Sequence, residues 1–304
     1  MVILLKILNL AVTLTAAPLL PGIIIRVKAW FAGRTGQPLL QPYYDIWKLL
    51  RKGTVYSVST SWVFRAGPLV SLAVTLTAAL LLPMGGLPAV FAFDGDFLVF
   101  VYLLGLLRFF MIVSALDTGS SFEGMGSSRE AAFSALCEPA LLIGLAAVAK
   151  ITGHASLTPM AASLQPALWT AAGPAFVLVG FALVIVFLSE NCRIPVDDPT
   201  THLELTMIHE AMVLDHGGLD LGMLQYAAAL KMWLLGLVLV GVAVPIHSGF
   251  LCLDTAAALL CMGLLAVLVG IVESSMARIR LLRIPPLLIG AAALSVLALV
   301  LVYR

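Results

Sequence analysis

The sequence predicts an all-α, polytopic membrane protein of about eight transmembrane helices, and three observations carry that prediction. The chain is 62% hydrophobic, only 11% of its 304 residues are charged, and its mean hydropathy is +1.09. A soluble domain carries about 25% charged residues. Several uninterrupted apolar runs also reach the roughly 20 residues needed to cross a bilayer. In lipid each backbone N–H and C=O must be paired within its own segment, so runs of this length are helices.

Eight apolar segments can be delimited, at about 3–25, 66–83, 97–116, 131–152, 171–190, 226–246, 250–273 and 285–303, within one integral membrane domain over residues 1–304. In the first, Pro18 and Pro21 fall where a ring and a missing N–H kink or finish a helix. Ala16-Ala17 looks like a signal-peptide cleavage site, but the apolar run continues to Ile25 and no positive cluster precedes it. It is read as a retained helix. No repeat with a period of 20 to 50 residues is visible. The four cysteines, Cys137, Cys192, Cys252 and Cys261, form no CxxC pair and no metal-ligand spacing, so they are read as small hydrophobes.

Lys and Arg set the orientation. Arg26, Lys28, Arg34, Lys48, Arg51, Lys52, Arg65, Arg129, Arg193, Arg278, Arg280 and Arg283 fall on one side, against Lys6, Lys150 and Arg304 on the other. The basic side is expected in the cytoplasm, with both termini across the inner membrane. The cytoplasmic connections are then 26–65, 117–130, 191–225 and 274–284.

Each connection has its own character. In the first, Tyr43, Ile46, Trp47 and Leu50 share one helical face and Asp45, Lys48, Arg51 and Lys52 the other, the pattern of a short interfacial helix. The second, with Gly119, Gly124 and Gly126 among hydroxyl residues, reads as a compact turn whose backbone can meet a partner. Ser127 or Ser128 would cap the next helix. No GKS or GKT follows, which argues against a phosphate loop.

The third connection is the most charged. Glu190, Arg193, Asp197, Asp198, Glu204, Glu210 and Asp215 crowd into under thirty residues. Asp198-Pro199 reads as a helix N-cap with proline at the first position, and Gly217-Gly218 as the stop. The helix between, roughly 17 residues, carries Leu203, Met207, Ile208, Ala211 and Met212 as an apolar stripe. His202, His209 and His216 recur every seven residues, about 10 Å apart along the axis, too far to share one ion. They are read as hydrogen-bonded or solvated side chains, with titration near neutral pH as a secondary role.

Charges also lie inside the spans: Arg108, Glu138, Glu190, Lys231 and Glu273. One at a helix centre costs roughly 2.5–3.5 kcal/mol, so such residues are kept for a wet cavity, a partner charge or a function. Glu130 and Glu138, eight residues apart, share a helix face. With Glu190 and Asp197 they would form a line of carboxylates running inward, with raised pKa values suited to passing protons. The plainer alternative for each residue is a static ion pair between helices.

Here the residues carry a family likeness. Glu190-Asn191-Cys192-Arg193-Ile194-Pro195-Val196-Asp197 resembles the E-x-x-R-x-P-F-D signature of the membrane-embedded subunit 1 (H subunit) of respiratory complex I, with Val196 in place of Phe. Arg34-Thr35-Gly36-Gln37 through Leu40-Gln41-Pro42-Tyr43-Tyr44-Asp45-Ile46-Trp47-Lys48-Leu49 is similar to that family's R-x-G-P…L-Q-P-x-x-D-x-x-K-L loop. Leu116-Asp117-Thr118-Gly119-Ser120, Gly126-Ser127-Ser128-Arg129-Glu130 and Glu273-Ser274 with Ala277-Arg278-Ile279-Arg280-Leu281 resemble the homologous branch in energy-converting (group 4) hydrogenases, namely formate hydrogenlyase subunit 4 and hydrogenase-4 component C.

The resemblance implies a non-catalytic subunit with no redox centre or metal of its own. It implies hydrogenase-like large and small subunits and a ferredoxin-like protein as partners, which hold iron–sulfur clusters and a nickel-iron centre. Antiporter-like membrane subunits and the bilayer complete the partners, and no nucleic acid is expected. The expected role is to anchor the redox arm and couple it to proton translocation through Glu130, Glu138, Glu190, Arg193, Asp197, Glu204 and Asp215, with the intramembrane Arg108, Lys231 and Glu273. Arg34, Asp45, Lys48, Asp117 and Arg129 would meet the partners. Thr200 and His202 stand where the family commonly has further glutamates. Contact with lipid or quinone stays open. Two other readings are a quinone-chamber subunit of an NADH:quinone oxidoreductase and a stand-alone secondary ion transporter; the second predicts inverted repeats that are not seen.

Overall fold

The computed structural model describes residues 2–197, 207–245 and 248–303. Among them lie α1 (Val2–Ala16), α2 (Leu19–Phe31), α3 (Gln41–Leu50), α4 (Trp62–Ala79), α5 (Asp96–Asp117) and α6 (Ser121–Thr152). The chain continues with α7 (Leu157–Ser163), α8 (Pro166–Glu190), α9 (His209–Met212), α10 (Gly218–Ala243), α11 (Leu251–Ser275) and α12 (Ile284–Val302). Among the described residues eight spans are long and apolar enough to cross a membrane, α1 and α2 counting as one. The expected all-α polytopic fold is therefore present.

The centre of the bundle is α10, the most enclosed span. It packs against α4, α3, α8 and α11, while α12 lies along α6 and α8, and α2 along α11. Ala17, Ile24, Phe100, Leu104, Leu141, Phe176, Leu230 and Met262 sit in the shared core.

The first span is broken where the prolines predicted, and the break is used. Pro18 has no N–H to give the Leu14 carbonyl one turn back. That carbonyl accepts instead from the Tyr226 hydroxyl of α10 at 2.9 Å. The neighbouring Thr15 carbonyl accepts from the Tyr43 hydroxyl of α3. Breaking the helix thus ties α1 to two other elements, and α2 runs on past Ile25 to Phe31.

The interfacial helix appears as α3, with Pro42 in its first turn. Its faces differ from the expected division: Tyr43 and Ile46 turn inward, whereas Trp47 (58% exposed) and Leu50 (40%) remain outside. A Cβ at Gly222 of α10 would lie 3.2 Å from Leu49 Cβ, so α3 and α10 meet closely.

Two expectations are corrected. The Gly/Ser-rich stretch is not a turn, because α6 starts at Ser121 and Ser120 is its N-cap position, not Ser127 or Ser128. Ser127 Oγ donates to the Glu123 carbonyl at 2.7 Å and Ser128 Oγ to the Met125 carbonyl at 2.9 Å, so the hydroxyls serve the helix they sit in. A Cβ at Gly126 would stand 2.8 Å from the Ile208 carbonyl oxygen and 2.9 Å from Ala211 Cβ. The glycine is needed for α9 to approach.

The second correction concerns the 17-residue amphipathic helix. Among the described residues only His209–Met212 is helical, and turns follow from Val213. Ile208 and Met212 are each 1% exposed, so this stretch is enclosed rather than laid on a surface with one wet face. The expected cap at Asp198, with His202, Leu203 and Glu204, lies outside the described residues. Likewise α10 begins at Gly218, earlier than the expected 226, which shortens the third connection.

Candidate functional site

The site grows from the end of α8. Cys192 takes a positive φ of 48° and Pro195 lacks an N–H, so the helix stops at Glu190 and the chain turns back into the protein. Glu190 is left 3% exposed at the helix end. Arg108 of α5 meets it there: Arg108 Nη1 lies 2.6 Å from Glu190 Oε1, and Nη2 lies 2.7 Å from Glu138 Oε1 on α6. One guanidinium therefore spans two carboxylates carried by different helices. Charge-assisted bonds of this length are the strong kind. Arg108 Nε and Glu190 Oε2 have no hydrogen-bond partner among the described residues, so the triad keeps donor and acceptor capacity in reserve.

Glu190 borders two cavities. On one side a chamber of about 350 Å³ lies between α3, the turn Glu190–Asp197 and His209–Val213, walled by α2 and α10. Its ionisable lining includes Lys28, Asp45, Glu190, Arg193, Asp197 and Lys231, joined by His209 and Glu210 of α9. On the other side a pocket of about 10 Å³ is lined by Arg108, Glu130, Ser134, Cys137 and Glu190. Glu190 and Cys192 are shared by both.

A second charged cluster fixes the turn after Glu190. Glu273 of α11 receives Lys28 Nζ at 2.9 Å and Arg193 Nη1 at 3.3 Å. Asp197 Oδ1 pairs with Arg278 Nη2 at 2.9 Å. Its Oδ2 accepts the Ile208 and His209 N–H groups at 3.2 and 3.4 Å, which satisfies the open start of α9. The Ile279 N–H donates to the Pro195 carbonyl at 2.9 Å. The E-x-x-R-x-P-x-D stretch is thus fastened to α2, α11 and the 276–283 segment.

The remaining predicted residues divide. Glu130 is 8% exposed and faces the small pocket, and Lys231 is 7% exposed and faces the chamber. Asp215 is exposed, and its N–H donates to Glu123 Oε1 at 3.2 Å. Glu204 lies outside the described residues. Of the residues expected to meet partners, Arg34 and Lys48 are exposed, while Asp45 accepts from Gln41 Nε2 at 2.9 Å and lines the chamber. Asp117 is engaged internally, accepting from the Ser61 N–H at 2.6 Å and the Ser61 hydroxyl at 2.8 Å at the start of α4. Arg129 is engaged too, donating to the Met207 carbonyl at 2.9 Å.

Sequence reasoning missed two participants. Lys28 counted only as a loop charge, yet it joins Glu273 to the chamber wall. Glu123 is 0% exposed in the first turn of α6. Ser120-x-x-Glu123 has the spacing of a capping box and would have announced both the helix start and this carboxylate.

The histidines have different fates. His216 stacks on Phe64, ring centroids 3.9 Å apart and planes 8° apart. Burial lowers its pKa to about 4. His209 also falls to about 4, through burial first and then the positive charges of Lys231 and Arg193. Both are neutral near pH 7, which removes the expected titration there. Burial, and then the Glu130 carboxylate, raises the Cys192 thiol well above its ordinary range.

Residues 4–303 match the family described as NADH dehydrogenase. Over 276 residues the chain is 32% identical to formate hydrogenlyase subunit 4 of Escherichia coli (strain K12), covering 89% of each protein. Over 282 residues it is 32% identical to hydrogenase-4 component C of the same organism, covering 90% of this chain and 87% of the relative. A chain in the structure of the membrane-bound sulfane sulfur reductase, an archaeal respiratory membrane complex, superposes with a TM-score of 0.85 at 19% identity, covering 99% of both. At that identity the likeness speaks for the fold alone.

Proposed function

The chain belongs to the NADH dehydrogenase family, whose members here are complex I-like membrane subunits of the hydrogenase-4 and formate hydrogenlyase kind, and from that premise we propose that it couples redox chemistry in partner subunits to proton movement. It is an integral membrane protein. In this reading it sits in the inner membrane with both termini outside the cytoplasm, and holds a hydrogenase-like arm with iron–sulfur and nickel-iron centres against the side of α3 and α9. Antiporter-like subunits lie beside it in the bilayer.

The observation that carries the reading is the position of Glu190. It belongs at once to the chamber under the docking side and to the small pocket with Glu130, and Arg108 links it to Glu138. Among the described residues Glu190 is the carboxylate that lines both, so a proton arriving from the chamber can pass inward through it. The split Arg108 clamp suits such a relay: protonating Glu190 loosens one arm, and Glu138 can take up the released charge of the guanidinium. The 3% exposure of Glu190 keeps bulk water from short-circuiting that exchange.

A second reading has one observation in its favour. A quinone-chamber subunit needs a cavity beneath the first and third connections, and the 350 Å³ chamber is so placed. Its charged lining suits a polar headgroup as well as water. The two readings separate when the chain is purified gently with whatever accompanies it. A nickel-iron large subunit and ferredoxin-like proteins support the hydrogenase reading. NADH-oxidising subunits with bound quinone support the other. A chain that purifies alone and transports ions overturns both.

A further inference from the structure

The chamber holds a cation that its own chain leaves without a counter-charge. Lys231 is 7% exposed and lines the chamber from α10, and among the described residues its Nζ forms no ion pair or hydrogen bond. A buried ammonium ordinarily has a counter-charge and acceptors for its three N–H groups. The carboxylates that share the lining do not serve it. Glu190 meets Arg108, Asp197 meets Arg278, and Asp45 accepts from Gln41. Glu210 is not free either. Glu130 and Lys231 act on each other through space, yet Glu130 borders the small pocket and forms no ion pair with the ammonium.

Arg193 stands in the same lining with its better edge unused. Its Nη1 reaches Glu273 Oε1 at 3.3 Å, and Glu273 already receives Lys28 Nζ at 2.9 Å. One carboxylate thus faces two cations. Among the described residues Arg193 Nε has no partner, and Nη2 meets the Met232 sulfur alone, at 4.0 Å. Nε and Nη2 form the side-on fork of a guanidinium, which matches the two oxygens of a carboxylate. A thioether is a weak acceptor on a flexible side chain, so Met232 is readily displaced from that edge. Lys231 and Met232 are neighbours on α10 and both line the chamber, so the ammonium and the fork face one space. His209 reports the sign of that space. The charges that depress its ring are Lys231 and Arg193, and among the described residues no carboxylate offsets them.

The geometry points to a binding site for a small monocarboxylate ion in the chamber, held by the Nε/Nη2 edge of Arg193 and by Lys231 Nζ. An apolar cavity of about 150 Å³ holds benzene. A chamber of about 350 Å³ therefore has room for an ion as large as benzoate. A neutral ligand would leave the ammonium without a counter-charge. Holding this ion and passing protons are separate properties of the chamber, and each can fail alone.

The test is binding of sodium acetate to the chain purified with the subunits that accompany it, followed by saturation-transfer NMR at constant ionic strength. Acetate is expected to bind saturably, and Lys231→Met to weaken that binding about tenfold, the loss of one charge-assisted contact. The exchange strands no carboxylate, because Lys231 is paired with none among the described residues. No saturable binding to the unaltered protein, or equal binding to both, overturns the proposal. A second measurement needs no variant. Crystals soaked in 4-bromobenzoate should show the anomalous signal of bromine inside the chamber, with the carboxylate on Arg193. Bromine found only elsewhere, as an adventitious additive only, overturns the site. So does a carboxylate of another subunit already seated on Arg193. Proton movement is measured separately, through Glu190→Gln, so failure of the site leaves the coupling reading standing.

Discussion

At the scale of residues, the charges inside the spans were the most legible feature, because a charge in an apolar helix stands out. Arg108, Glu138, Glu190, Lys231 and Glu273 could all be picked from the sequence. Their pairings could not. Arg108 and Glu190 are 82 positions apart and Arg193 and Glu273 are 80 apart, and nothing local encodes such separations. Removing the guanidinium leaves Glu190 buried without its counter-charge, and breaking a buried pair costs about 3–5 kcal/mol. Arg108→Gln should therefore lower the thermal stability of the purified protein clearly, whereas Lys48→Gln, at an exposed site, should leave it unchanged. Equal effects would show that the triad does not hold α5, α6 and α8 together. The histidines give a pH prediction. Burial lowers His209 and His216 to about 4, while an opened segment protonates near 6.5. The closed form binds fewer protons between those values, so its stability is full above about 6.5 and falls as the pH drops toward 4. Amide exchange across 207–217, corrected for intrinsic rates, should speed up between pH 7 and pH 5. Exchange that is flat over that range would contradict the buried, neutral histidines.

At the scale of elements, the spans were legible because length and hydropathy determine them almost alone. The first-span break was also legible, since a proline must strand a carbonyl. Which group meets that carbonyl was not, because Tyr226 lies 212 residues away. An unsatisfied buried acceptor costs about 1–3 kcal/mol. Tyr226→Phe should destabilise the chain by an amount of that order, with increased amide exchange centred on 14–19; a silent substitution would mean that the break is closed by something else. The start of α6 was hidden for a different reason. Gly and Ser are poor helix formers in isolation, and here packing against α9 overrides propensity. Gly126→Leu should detach α9 and expose 207–217 to protease, while Gly124→Ala, where an added Cβ meets nothing, should not. The short α9 was misread because the alternation of apolar and charged residues mimicked one amphipathic helix. In the folded chain Asp197 is drawn to Arg278 and to the N–H groups of Ile208 and His209, and Ile208, Ala211 and Met212 are enclosed.

At the scale of the whole molecule, the ends rich and poor in Lys and Arg predict sidedness. Val58, fully exposed between α3 and α4, and Cys252, exposed at the start of α11, lie at opposite ends of the bundle. In right-side-out vesicles a membrane-impermeant maleimide should label Cys252 and spare Val58→Cys, and inverted vesicles should reverse this. The opposite pattern would place the chamber and its docking side outside the cytoplasm and remove the basis for a cytoplasmic redox arm. The central claim is that protons driven by partner redox chemistry pass through Glu190, the carboxylate shared by the chamber and the Glu130 pocket. The most direct measurement is redox-linked proton movement by the intact complex carrying Glu190→Gln. The amide oxygen still accepts from Arg108, so the triad keeps its shape, but the side chain no longer takes up a proton at neutral pH. The account predicts that electron transfer persists while proton movement is lost. Proton movement at the unaltered rate, in an assembled complex that still turns over, would contradict it.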